Sequence, residues 1–185
     1  IDTNGSIREQ LLNVSHCQSV DEFVTDWFAG RAPLYLCNTV FHRAKLMEVG
    51  GFVSKKNLYN DVVAEVRIAA ISPILNIEEI KASFRRHEDN RGGTIRLRDW
   101  AEESAFLLDE IVKLVTDKRG VQAVGQRYFS GKLYQRADLL PQFRDRWRSY
   151  RIISETFDHC YTPYQRLWTR ARRRLGRMRR RLMPI

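Results

Sequence analysis

Pro33-Leu34-Tyr35-Leu36-Cys37-Asn38-Thr39-Val40 is the stretch on which the fold reading turns. It is apolar and rich in β-prone side chains, so it reads as a buried strand. Arg43 to Val49 has helical spacing and is stopped by Gly50-Gly51. Asn57 to Asn60 is a loop. Asp61 opens a helix through Ile71, with Val62, Val66, Ile68 and Ala69 available to a core, and Pro73 breaks it. Ile74 to Arg86 holds one or two further strands, Lys81 to Arg85 being the better candidate. Asn90 to Gly93 is a loop. Upstream, Ser6 to Val14 reads as a short helix. Ser19, with Glu22 three residues later, starts another that places Phe23, Trp27 and Phe28 on one face and ends at Gly30. Beyond Thr94 the pattern is helical, over Leu97–Val115, Gly120–Phe129, Arg144–Phe157 and Pro163–Met183. The predicted class is α/β, an α+β unit over residues 1–94 followed by a helical extension over 95–160 and a basic amphipathic helix over 161–185.

Composition sets bounds on function. The 185 residues are 43% hydrophobic and 11% aromatic, enough to build a core rather than a disordered chain. No apolar run approaches the roughly 20 residues of a membrane-spanning helix. The start, Ile1-Asp2-Thr3-Asn4-Gly5, has neither the basic region and apolar core of a signal peptide nor a Met, and reads as cut from a longer protein. Three cysteines, Cys17, Cys37 and Cys160, form no C-x-x-C pair, which points to reduced thiols and a cytosolic setting. His16-Cys17 and His159-Cys160 lack the spacings of structural zinc sites and read as two buried thiols beside two surface histidines. The net charge is +10, and nine arginines with no acid lie between Thr162 and Ile185, so the remainder carries only +1. Charge arguments therefore concern the tail alone.

Three blocks carry a resemblance. Cys37-Asn38-Thr39-Val40-Phe41-His42-Arg43-Ala44 runs into Leu46-Met47-Glu48-Val49-Gly50-Gly51-Phe52. Tyr59-Asn60-Asp61 follows, and then Phe84-Arg85-Arg86-His87-Glu88-Asp89-Asn90. In order and spacing, from Leu34 to Asn90, they resemble the C-terminal, acceptor-side part of glycosyltransferase family 2, the inverting group with the GT-A fold. The resemblance implies a GT-A-like unit whose nucleotide-binding half is missing. It implies a nucleotide-sugar donor, a glycan or lipid-linked acceptor, and a divalent metal, Mn or Mg, in the full-length enzyme. The chain departs from the family in three places. No Asp-x-Asp metal motif occurs anywhere, Asn60 replaces the first acid of the family's acidic pair, and the Gln-x-x-Arg-Trp signature of processive synthases is absent. The expected activity is therefore non-processive and, for these 185 residues alone, absent.

Inverting transfer is one in-line displacement, in which a base takes the acceptor hydroxyl's proton as the nucleoside diphosphate leaves. Carboxylates are ionised at neutral pH and suit that role. The resemblance implies Asp61 as the base, whereas its position at a helix start alone reads as a cap. Arg85 and His87, on one face of the expected strand, are candidates for the diphosphate, and His87 for the metal. His42 and Asn60 are candidates for the acceptor pocket, with a packed core-edge role as the alternative for His42. Trp27, Trp100 and Trp147 read as core.

Trp168, Ala171, Leu175, Met178 and Leu182 recur at spacings of three and four, with arginines on the other faces. Such a helix suits an anionic bilayer, with Trp168, Arg172, Leu175 and Arg179 in contact, and places the protein at the inner face of a membrane. A partner protein ranks second. The competing functions are a non-catalytic membrane- or partner-docking module and, third, a nucleic-acid-binding protein, for which no recognition motif is present.

Overall fold

The computed structural model describes residues 1, 4–7, 10, 19–85 and 95–157. These form six α-helices, α1 (Val20–Phe28), α2 (Arg43–Glu48), α3 (Asn60–Ala69), α4 (Leu97–Leu114), α5 (Lys118–Asp138) and α6 (Phe143–Thr156), with a 3-10 turn at Leu36–Asn38. No strand occurs among the described residues. The α/β expectation is therefore corrected to an all-helical fold, and the GT-A-like architecture with it.

The physical reason lies in the decisive stretch itself. Asn38 Oδ1 accepts the Tyr35 N–H at 3.1 Å, and its Nδ2 donates to the Pro33 carbonyl at 2.9 Å. A side chain that takes up local backbone groups offers the chain a turn in place of a sheet ladder. The expected burial is missing too, since Leu36 is exposed and Val40 fully so. The second expected strand segment, Ile74 onward, has no regular structure as far as it is described, to Arg85, and exposes Leu75, Ile77, Ile80 and Phe84. A lone extended segment leaves its backbone donors and acceptors unpaired, so β propensity without a neighbouring strand builds nothing.

The helix expectations fare better because their signals are local. Ser19 and Glu22 form the reciprocal capping box that starts α1. Helix α2 ends in a Schellman arrangement, in which Gly50 N–H donates to the Met47 carbonyl at 3.1 Å and Gly51 N–H to that of Leu46 at 2.8 Å. Both glycines have positive φ, 89° and 74°, which explains why two are needed here. Helix α5 starts at Lys118, before the expected Gly120, and runs nine residues past Phe129, crossing Gly125 and Gly131. The Ser6–Val14 and Pro163–Met183 helices fall wholly or largely outside the described residues.

Helices α4, α5 and α6 pack against one another, α1 and α3 pack on this trio, and α2 packs on α3. One buried cluster runs through them, from Phe23, Val24 and Trp27 through Val63 and Val66 to Leu107, Ile111, Phe129, Tyr134 and Ile153. Trp27 is core, as its spacing implied, and packs edge-on against Phe129. The close approach of α5 to α4 depends on Gly125, where an added Cβ would lie 2.4 Å from Leu108 Cδ1 and 3.2 Å from the Phe28 ring. Gly125→Val is expected to cost about 1–3 kcal/mol by overpacking. Gly131→Ala, in open space on the same helix, should gain up to about 1 kcal/mol. Urea midpoints of the two variants test this, and equal shifts would show that the helices part easily at Gly125.

Candidate acid–base site

The turn after α2 leads through residues 52–58 to α3, and this loop is held from below by α4. The Glu103 side chain is fully buried. Its Oε2 accepts the Lys56 N–H at 2.7 Å and its Oε1 the Leu58 N–H at 3.5 Å. The Lys56 ammonium reaches Asp99 at 2.5 Å and Glu102 at 2.6 Å, and these carboxylates raise its pKa while it lowers theirs. Asn57 adopts φ 56°, a left-handed conformation that asparagine tolerates. Tyr59 then enters the core edge-on to Trp100 and Phe129, and its hydroxyl accepts from Ser104 at 3.4 Å. Burial pushes the Tyr59 phenol up. Arg67 ties the other end of the loop by donating to the Val49 carbonyl at 3.3 Å and to Glu110 at 2.6 Å. Lys113 and Arg67 hold the Glu110 carboxyl below its ordinary range.

This framework presents the first turn of α3. Asn60 Oδ1 accepts the Asp61 N–H at 3.0 Å, and Asp61 Oδ1 accepts the Val62 N–H at 2.9 Å. Asp61 is half-buried and not the N-cap, a position that belongs to Tyr59. One turn on, Glu65 lies on the same helix face and is buried, as are its chain neighbours Val62, Val63 and Val66. Thr39 Oγ1 donates to Glu65 Oε1 at 2.6 Å, and Oε2 is buried with no hydrogen-bond partner among the described residues. Burial pushes the Glu65 carboxyl up to about 7; the Thr39 bond opposes the shift and the nearby Asp61 charge adds to it. Two carboxyl groups one helical turn apart therefore differ in environment, Asp61 reaching solvent and Glu65 withdrawn from it. That difference is the usual physical basis for dividing acid and base roles.

No family model, curated protein or solved structure matches this chain.

The predicted site residues are only partly brought together. Asn60 and Asp61 share the first turn of α3. His42 is not a packed core-edge residue; it is exposed and caps α2, its Nδ1 accepting the Lys45 N–H at 3.4 Å. Arg85 is exposed at the end of a segment with no regular structure as far as it is described, so no strand is seen up to residue 85. His87 itself, and the tail residues Trp168, Arg172, Leu175 and Arg179, lie outside the described residues, as do Cys17 and Cys160. Among the described residues no three His, Cys, Asp or Glu side chains gather as metal ligands. Asp61 and Glu65 alone do not fit the divalent metal that the resemblance implies, so no step is derived through one. Thr39, Glu65 and Glu103 were missed by sequence reasoning. Glu65 had a legible signal, an acid inside the apolar run Val62-Val63-Ala64-Glu65-Val66, where charge is rare unless paired.

The raised Glu65 value has a thermodynamic consequence. The folded state holds this proton more tightly than the unfolded chain, whose value is near 4.5. Its contribution to stability is therefore fully present below about 4.5, falls as pH rises, and is lost above about 7. The loss for this one group is on the order of 3 kcal/mol. Glu65→Gln cannot ionise, so it should remove this share of the pH dependence and gain on wild type by that amount between pH 5 and pH 8. Urea unfolding at both pH values is the check, and parallel curves for the two proteins would show that Glu65 titrates normally.

Proposed function

We propose that the chain serves inverting, non-processive sugar transfer from a nucleotide-sugar, contributing the acceptor side, with Asp61 as the general base. The observation that carries the reading is the placement of Asp61. It stands half-buried in the first turn of α3, just after a loop pinned by Glu103 and Lys56, with one carboxylate oxygen bonded to Val62 N–H and no partner for the other among the described residues. The blocks that resemble glycosyltransferase family 2 support it, because the Val49-Gly50-Gly51 turn and Tyr59-Asn60-Asp61 are the two ends of that same loop. Glu65 adds a group that exchanges protons near neutral pH one turn away.

In this reading an acceptor hydroxyl hydrogen-bonds to the free Asp61 oxygen. As the hydroxyl oxygen attacks the anomeric carbon, its proton passes to the carboxylate and the bond to the diphosphate breaks on the opposite face. Asn60 borders the acceptor, and the donor's nucleotide is held by residues other than those described. The test is transfer and hydrolysis of a panel of nucleotide-sugars by the protein at its natural length, with Mn or Mg, comparing wild type with Asp61→Asn. Turnover that collapses in the folded variant supports the reading. Equal turnover removes Asp61 from the chemistry, and no turnover in either protein favours a docking module.

A further inference from the structure

We propose that the turn joining α5 to α6 is a membrane-docking tip for an anionic lipid surface. The turn carries Leu139-Leu140-Pro141-Gln142-Phe143, and two of its three large apolar residues point away from the core, Leu139 being 83% and Phe143 60% exposed. Neither is needed for packing. The tip is held in shape, because the Arg146 guanidinium donates to the Leu140 carbonyl at 2.8 Å and to that of Pro141 at 3.2 Å. Phe143 stacks on Trp147 one turn along α6, with centroids 6.5 Å apart and planes 19° from parallel. The result is an aromatic ridge beside a rigid apolar point.

Charge decides what the tip fits. Arg144, Arg148 and Arg151 are exposed on α6, the helix that carries the ridge, and Lys132 is exposed on α5. The nearby acids are partly committed, Asp138 accepting from the Tyr150 hydroxyl and Glu155 pairing with Arg151 at 3.2 Å. Asp145, in the first turn of α6, is a further exposed acid. Exposed apolar side chains with arginines on the same helix match the boundary between acyl chains and anionic headgroups, with tryptophan at headgroup depth. No helix among the described residues is long and apolar enough to cross a membrane, so the contact is a surface one. In sequence the ridge is followed by the arginine-rich stretch from Thr162, which lies outside the described residues. The inference is independent of the sugar-transfer reading.

The experiment is flotation of the full chain with vesicles of phosphatidylcholine alone or with one-third phosphatidylglycerol, some carrying brominated acyl chains. Wild type should float with the anionic vesicles, and the bromolipids should quench its tryptophan emission. Leu139→Ser/Phe143→Ser changes only exposed side chains and should retain its helical spectrum while weakening binding about tenfold or more. Arg144→Gln/Arg148→Gln should weaken it about fivefold per charge and flatten its salt dependence. Trp147→Phe should lose part of the quenching. Unchanged binding in the Leu139/Phe143 variant overturns the proposal and assigns any affinity to the Thr162–Ile185 stretch. Equal binding to neutral vesicles, or binding only to an oligonucleotide or to a second copy of the chain, overturns it as well.

Discussion

On the proposed sugar-transfer reading, Asp61→Asn should lower turnover by about 10²–10⁴-fold, the usual share of a positioned general base, while leaving the fold in place. The substitution separates chemistry from structure because of how Asp61 is bonded. Its Oδ1 accepts the Val62 N–H at 2.9 Å, a bond that an asparagine oxygen can keep. Asparagine and aspartate are also near-equal at helix starts, so the variant should stay within about 0.5 kcal/mol of wild-type stability. What it loses is the negative charge and the lone pair that takes the proton. KM for the acceptor should change much less than kcat, because the amide still accepts or donates a hydrogen bond to a hydroxyl. If Asp61 only shaped the start of α3, Asp61→Asn would transfer sugar at the wild-type rate. Measuring kcat alongside thermal unfolding of the same preparation distinguishes the two.

The helices were legible and the strands were not, for one physical reason. Helix signals are local. Ser19 with Glu22, the Gly50-Gly51 stop and the apolar spacing of α4 need only a few neighbouring residues to act, and α1, α2 and α4 form where those signals lie. A strand is fixed by its partner. Residues 33–40 have the composition of a buried strand, but with no ladder beside them among the described residues, the Asn38 side chain closes them into a turn. The expected Gly120–Phe129 helix was too short at both ends, since α5 runs from Lys118 to Asp138 and passes through Gly131. Gly125, inside the expected span, lets α5 pack closely against Leu108 and Phe28.

The site shows the same division. Asp61 was singled out by the resemblance of its flanking blocks, short runs of neighbouring residues, whereas its place at a helix start reads on its own only as a cap. Thr39 lies 26 residues from Glu65, and Glu103 lies 47 from Lys56, so no spacing rule joins them. The fold correction also changes what the site is. Asp61 lies at the end of a helix resting on helices, and its position is set by the loop before it. The strength of that loop's anchor is therefore the quantity that matters most after Asp61 itself.

That anchor is Glu103, and Glu103→Ala should cost about 3–5 kcal/mol, a large part of the roughly 5–15 kcal/mol that stabilises a domain. Two losses add. The backbone N–H groups of Lys56 and Leu58 lose the carboxylate that accepts them, and the fully buried side chain leaves a cavity against α4. The ion pairs of Lys56 with Asp99 and Glu102 remain, but they are partly exposed and screened, so they replace little of the loss. Glu103→Gln keeps one acceptor oxygen and turns an amide nitrogen toward the other N–H, so it should cost less, about 1–3 kcal/mol. Urea unfolding gives both numbers from the midpoint, provided the slope stays constant. A loss below about 1 kcal/mol in Glu103→Ala would mean that the Lys56 ion pairs hold the loop, and that Asp99 and Glu102 are the residues positioning Asp61. The predicted loss would mean that a buried carboxylate on α4 determines where the candidate base stands.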